Sequence, residues 1–269
     1  MPIIDPQGWG RELFNKQVNQ TKNDPHRNIP ITAFPSLLRK DWLALLYKQG
    51  MLPAGERFKQ EWQEWEEQVP MKLLQEKYNE YKTLFEGPEI DVYLFPVNTS
   101  DRKFMKTMKG RNGLTFNSFI FLFFHKDIAP EELSALLLHE YHHACRLDYH
   151  HLNEQNISLL ESMVMEGLAE TEVKRIVGEE YVAPWMIMYD QEFLRRWWER
   201  KIKNKLNIIG RKRQMQYLYG GKYGFPKWLG YAIGYKITES YIANRGSQDH
   251  ISFVKKTAEE IYRGSDYIQ

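Results

Sequence analysis

Residues 130–146 read PEELSALLLHEYHHACR, and within them His139-Glu140-Tyr141-His142-His143 spells the pattern HExxH. Pro130 followed by Glu131 and Glu132 marks a helix start, because proline lacks an N–H where the first turn leaves donors unpaired and acids favour the positive end of the helix dipole. Leu133, Leu136 and Leu137 continue at helical spacing, which predicts a helix from about Pro130 to Arg146. Residues four apart on such a helix stack about 6 Å along its axis, so the His139 and His143 imidazoles can converge on one tetrahedral zinc ion. Glu140 is turned about 100° from His139. It stands beside such a metal rather than on it, where its carboxylate can take a proton from a water that zinc has polarised.

Six of the eight histidines lie between His125 and His151, and random placement of this composition gives only roughly 0.02 HExxH matches. A bare match still admits an amphipathic helix whose histidines serve the core, and a third protein ligand separates the two readings. The loop 148–156 precedes a second expected helix, 157–177, stopped by Gly178. On it Glu166-Gly167-Leu168-Ala169-Glu170 offers a carboxylate at the right place, since the chain between has room to turn and come back antiparallel. Glu161 lies about 140° around from Glu166, so both cannot face one ion. Glu170, one turn after Glu166, is placed to accept a hydrogen bond from a ligand imidazole. His142 points about 100° away from His143 and reads as packed or surface. His150 and His151 read as loop residues, and Cys145, on the far side of the helix from His143, reads as a small core residue.

The EGLAE segment resembles the EG[FL]A motif that follows HExxH in the gluzincin metallopeptidases. HEYHHAC, EGLAE and the later GYAIGY together resemble more closely the YjaZ-like predicted zinc-dependent proteases of bacteria, over Glu89 to the C-terminus. The resemblance implies a zincin-like catalytic domain with one zinc per chain, held by His139, His143 and Glu166, with Glu140 as general base and a peptide or protein as substrate. Zinc hydrolases also need a donor for the oxyanion that develops on the scissile carbonyl, and enzymes of the resembled clan commonly use a downstream Tyr or His. Gly230-Tyr231-Ala232-Ile233-Gly234-Tyr235 repeats both glycine and tyrosine at i and i+4. We expect Tyr235, then Tyr231, in that role; His250, the only later histidine, falls near an expected turn. The strand around Asn117 to Phe124 is expected to be an edge strand lining the cleft and pairing with an extended peptide, although its near-continuous apolar run also suits burial on both faces. The GxMEN segment of aminopeptidase-N-like enzymes has no counterpart between Glu89 and Pro130, so an aminopeptidase is not supported.

The remaining sequence frames this reading. The 269 residues are 42% hydrophobic and 14% aromatic, enough to build a sizeable core. A net charge of +2 creates no field demanding nucleic acid or an anionic membrane. One cysteine excludes an intramolecular disulfide and fits a reducing compartment. Phe119 to Phe124, the longest dense apolar run, is far short of the roughly 20 residues that span a bilayer, and the opening residues carry no secretory pattern. We therefore expect a cytoplasmic protein. The texture changes at Gly87-Pro88, dividing a helical region, 1–86, from the catalytic domain, 87–269. In the first, helices are expected at Pro35 to Gln49 and across Glu56 to Phe85, the latter broken at Pro70. In the second, strands are expected at Ile90 to Val97 and within Gly113 to His125, with further helices at Asp190 to Asn207 and Lys227 to Ala243. The class is α+β.

A rival reading rests on Arg195 to Arg213, where nine Lys or Arg surround Trp197 and Trp198, a composition that can bind single-stranded nucleic acid. Glu199 and the small net charge weigh against it, and no nucleic acid is expected as partner. A zinc-stabilised interaction module is the other alternative, though it has no use for a Glu between the two histidines.

Overall fold

The structure is a computed structural model that describes residues 2–7, 39–53, 57–221 and 224–268, with the backbone alone for 39–43. It is α+β, mostly helical with one three-stranded sheet. Two compact units are interleaved along the chain, one of Met1–Tyr78 with Glu89–Leu137 and the other of Asn79–Pro88 with Leu138–Gln269.

The first unit is built on β1 (Asp91–Pro96), β2 (Arg111–Thr115) and β3 (Phe119–Phe124), in the order β1-β3-β2. β1 runs parallel to β3 with Tyr93 opposite Phe121, and β2 runs antiparallel to it with Gly113 opposite Leu122. The expectation of an edge strand at Asn117 to Phe124 is therefore corrected. β3 is the central strand, with its backbone donors and acceptors taken on both sides, so it cannot accept a peptide as a further strand. The alternative reading of its sequence holds, because every residue of FIFLFF is buried and an uninterrupted apolar run is what a strand covered on both faces requires. Phe95 stacks on Phe123 at 5.1 Å and meets Phe121 edge-on at 5.2 Å. Such pairs add about 0.5–1.5 kcal/mol each to the burial of their rings.

Helices Phe58–Glu66 and Met71–Phe85 are separate on either side of Pro70, whose ring and missing N–H cannot continue the first. Phe58, Trp62 and Trp65 recur at i, i+4 and i+7 as the buried face of the first helix, and the Trp65 ring lies 5.2 Å from that of Phe124. The described part of the earlier expected helix is Arg39–Lys48, and 35–38 lies outside the described residues. A short helix, Arg102–Met108, links β1 to β2; the N-cap Asp101 side chain accepts from the Phe104 N–H.

The second unit is a helical assembly. The HExxH helix, Pro130–Tyr149, enters it from the first unit by continuity of the chain and outlasts its expected end by a turn. After the loop, Ser158 caps helix Leu159–Ile176 by accepting from the Glu161 N–H. That helix packs on Leu229–Arg245 through glycines. A Cβ at Gly234 would lie 1.9 Å from the Met163 carbonyl oxygen, and one at Gly167 would lie 2.4 Å from the Gly234 carbonyl oxygen. Only hydrogen fits there, so Gly234 of GYAIGY and Gly167 of EGLAE let the two backbones touch. Helices His250–Lys255 and Ala258–Gly264 complete the unit, the second behind a capping box of Thr257 and Glu260.

One helix was expected over Asp190 to Asn207. The chain instead forms Gln191–Trp197, a π-turn at Trp198–Ile202 and a 3-10 turn at Lys203–Lys205. Leu194, Trp198, Ile202 and Leu206 are all buried. A stripe at every fourth residue drifts about 40° per step on a regular α-helix, and a wider turn rotates it back toward the core.

Candidate metal centre

His139 and His143 project from one face of the HExxH helix with ring centroids 4.4 Å apart. Glu166, on the helix Leu159–Ile176, meets them. A single oxygen, Oε2, lies 3.3 Å from His139 Nε2 and 3.4 Å from His143 Nε2. Ligand atoms held 2.0–2.1 Å from a shared ion at tetrahedral angles are about 3.3–3.4 Å apart, and these two spacings are compatible with that. The three donor atoms lie within 4.8 Å of one another, and this is the metal-capable cluster of His, Cys, Asp and Glu among the described residues.

The electrostatics agree with the geometry. Burial opposes charge on His139, yet the Glu166 and Glu170 carboxylates outweigh it and raise its pKa well above the usual histidine value. Burial likewise works against ionising Glu166, but His143 and His139 hold its carboxyl far below the ordinary carboxylate range. These groups favour positive charge among them. A divalent cation satisfies that preference with two neutral imidazoles and one carboxylate, a donor set suited to zinc.

Glu170 supports the arrangement from outside it. Its Oε1 lies 2.8 Å from His139 Nδ1, and its Oε2 accepts from the Ala183 backbone N–H at 2.7 Å. A proton on Nδ1 directed at Glu170 leaves Nε2 with its lone pair toward Glu166. Glu140 is buried on the HExxH helix, and its charge acts on His139.

The competitor Glu161 is engaged elsewhere. Its Oε1 accepts from Nε of Arg146 at 2.9 Å, and Arg146, itself fully buried, donates through Nη1 to the carbonyls of Phe253, Val254 and Lys256. This guanidinium ties the end of the HExxH helix to the start of the next and to the carbonyls at the end of helix His250–Lys255. The motif search passed over it. An Arg three residues after the second His is on its own an unremarkable helix C-terminal charge. Replacing Glu161 by Ala leaves that guanidinium buried without its counter-ion, and we expect a stability loss of about 3–5 kcal/mol, read from urea unfolding of the metal-free chain. An unchanged midpoint would show the pair to be dispensable.

The two tyrosines differ in surroundings. The Tyr231 phenol is pushed well above its usual pKa by burial and then by the Glu166 charge, while Tyr235 is raised by burial and then by Glu239, with the Lys236 ammonium over its ring. Tyr231 packs on Tyr219 with ring centroids 5.4 Å apart, and the Tyr219 hydroxyl accepts from Arg211 Nη2 at 3.1 Å. Arg211 also feels the Glu166 charge. Tyr219 did not stand out in the sequence, and Arg211 was weighed only as one charge of the basic stretch Arg195 to Arg213.

A model of the family described as "Predicted Zn-dependent protease (DUF2268)" matches residues 71–263. The chain belongs to this family. Two curated relatives, both from Bacillus subtilis (strain 168), are similar to it. "Uncharacterized protein YjaZ" is 34% identical over 169 residues, covering 63% of this chain and 65% of the relative. "Uncharacterized protein YjfC" is 27% identical over 134 residues, covering 46% and 43%. The chain thus spans less than two thirds of the length of the curated relatives it matches. No solved structure matches it. The family's description is that of a predicted zinc-dependent protease, and this member of it holds a His/His/Glu cluster that could bind a metal ion. No helix among the described residues is long and apolar enough to cross a membrane.

The other histidines of this DUF2268 chain take varied places. His142 is fully buried, its ring edge-on to Phe85 at 5.5 Å, and burial followed by the Arg146 charge keeps it neutral. His150 Nε2 contacts the Val254 carbonyl at 2.9 Å, and His151 is exposed. His250 opens a helix directly after the non-helical residues 246–249, with Nδ1 against the buried Glu172. Cys145 is a buried free thiol whose pKa burial raises. In the basic stretch, Trp198 is fully buried, Glu199 pairs with Lys203, and the Arg195 guanidinium lies 4.2 Å over the Tyr267 ring.

Proposed function

We propose that the chain hydrolyses peptide bonds with one zinc ion per molecule, His139, His143 and Glu166 being the ligands and residues 87–269 the catalytic domain, of zincin-like type. The observation that carries this reading is the approach of two imidazole nitrogens to one carboxylate oxygen at 3.3 and 3.4 Å. Zinc bound there would polarise a scissile carbonyl and lower the pKa of a water toward 7.

The protein's own groups supply the rest. Glu140 takes the proton of the attacking water and later delivers it to the leaving amine. Glu170 holds the His139 ring and its tautomer. For the oxyanion donor, the surroundings favour Tyr231 over Tyr235, reversing the order expected from spacing. Burial raises both phenols, so either can donate a hydrogen bond; what favours Tyr231 is that the charge of Glu166 acts on it, whereas Glu239 and Glu170 act on Tyr235. Tyr231→Phe is expected to lower kcat by about 10²–10³ with little change in KM, the usual effect of removing one oxyanion donor. Tyr235→Phe, measured beside it, is expected to stay near wild type, and the opposite result would return the role to Tyr235.

The reading is tested by metal analysis of the purified chain and a mixed-peptide digest read by mass spectrometry, before and after chelation. Peptide cleavage lost on chelation and restored by stoichiometric zinc is the expected outcome. A zinc-loaded chain that cleaves nothing would overturn it.

A further inference from the structure

Among the described residues Arg211 makes no ion pair with a carboxylate, although the Glu166 charge reaches it. It opens helix Arg211–Leu218 and is partly buried, and among the described residues its hydrogen-bond partner is the Tyr219 hydroxyl, at 3.1 Å. Elsewhere in this unit Arg146 has Glu161 and Arg175 has Glu172, while Arg195 lies over the Tyr267 ring. Arginine carries five N–H donors in a rigid fork, and carboxylate is its best-matched partner, engaged through two parallel bonds.

The position of Arg211 is fixed by contacts. Tyr219 bridges from it to the Tyr231 ring, and Trp228 packs edge-on to Tyr231 at 5.2 Å and meets Tyr219 at 5.5 Å. Helix Leu229–Arg245 carries Tyr231 and touches the Glu166-bearing helix through Gly234 and Gly167. The Glu166 charge acts on both Arg211 and Tyr231. Once Glu166 is committed to a cation, its charge is answered there, and the guanidinium fork is left for an acid from outside the protein.

We propose that Arg211 is a substrate-carboxylate subsite, which directs hydrolysis to peptide bonds close to a carboxylate on the peptide. The inference rests on the peptidase reading above for its catalytic half and not for its binding half. Two sources can present the same group, a C-terminal α-carboxylate and an Asp or Glu side chain, and the experiment distinguishes them.

Zinc-loaded Glu140→Gln chain is titrated calorimetrically with one short peptide in three forms: the free acid, the C-terminal amide, and the amide with one internal Asp. The free acid is expected to bind about 10- to 100-fold more tightly than the plain amide, the size of a charge-assisted bidentate contact. Adding Arg211→Met should bring the two together, while Arg211→Lys, which keeps the charge and loses the fork, should fall between. Preference for the Asp-bearing amide alone, lost in Arg211→Met, assigns the subsite to a side chain. The comparison of peptide forms on the Glu140→Gln chain needs no change at Arg211, so misfolding of a variant does not protect the proposal. Equal binding of all three forms overturns it. A wild-type digest separates the two ideas. Equal cleavage of all three forms leaves the peptidase standing and removes the subsite; discriminating binding without any cleavage keeps the subsite and removes the peptidase.

Discussion

Glu140→Gln, loaded with zinc, is expected to lose about 10²–10⁴ in peptide cleavage or more, while retaining its metal. Glutamine has the shape of glutamate but accepts no proton, and Glu140 is buried on the helix that bears both imidazoles. The substitution therefore preserves packing, removes one negative charge acting on His139, and abolishes the proposed base. Two readouts are needed together. Elemental analysis should return the wild-type zinc content, and single-turnover cleavage should collapse at every substrate concentration, because a base acts in the transition state and not in binding. Undiminished turnover would remove Glu140 from the chemistry. Loss of zinc along with activity would instead make it part of the metal's support.

Glu166→Ala carries the other large effect. It takes away the carboxylate oxygen that both Nε2 atoms face, leaving two imidazoles on one helix, a set below the three protein ligands of catalytic zinc sites. We expect affinity for zinc to fall by more than the roughly 10- to 100-fold typical of an outer-shell partner. Glu170→Ala, which touches the outer Nδ1 of His139 and a backbone N–H, provides that smaller benchmark in the same competition assay against a chromogenic chelator. Equal losses in the two variants would mean that Glu166 does not bind the metal directly. Wild-type affinity in Glu166→Ala would move the third ligand elsewhere.

The two predictions differ in how much of their basis was legible in the primary structure. The HExxH geometry is local. Backbone hydrogen bonds between residues four apart set the angle between His139, Glu140 and His143, so their relation on the helix follows from spacing alone. The Pro70 break and the burial of Phe119 to Phe124 were legible for the same kind of reason, one from a missing N–H and the other from an unbroken apolar run. The edge-strand expectation misjudged β3 because pairing partners are not local: Arg111–Thr115, a polar segment with a glycine, supplies the second neighbour. The irregular turn at Trp198–Ile202 was hidden for a similar reason, since a core must be present before a four-residue stripe needs rotating.

Helical periodicity by itself put two imidazoles on one face and a carboxylate beside them, because a helix determines its own side-chain directions. It could say that Glu161 and Glu166 face different ways, but not which of them faces the histidines. Tertiary structure decided that, through the buried Arg146 that occupies Glu161 and the glycine contact of Gly167 with Gly234. It also brought Tyr219 and Arg211 beside Tyr231. The angles between separate helices are set by which side chains can be buried together and which charges must be answered inside, and neither is written into the spacing of any one segment.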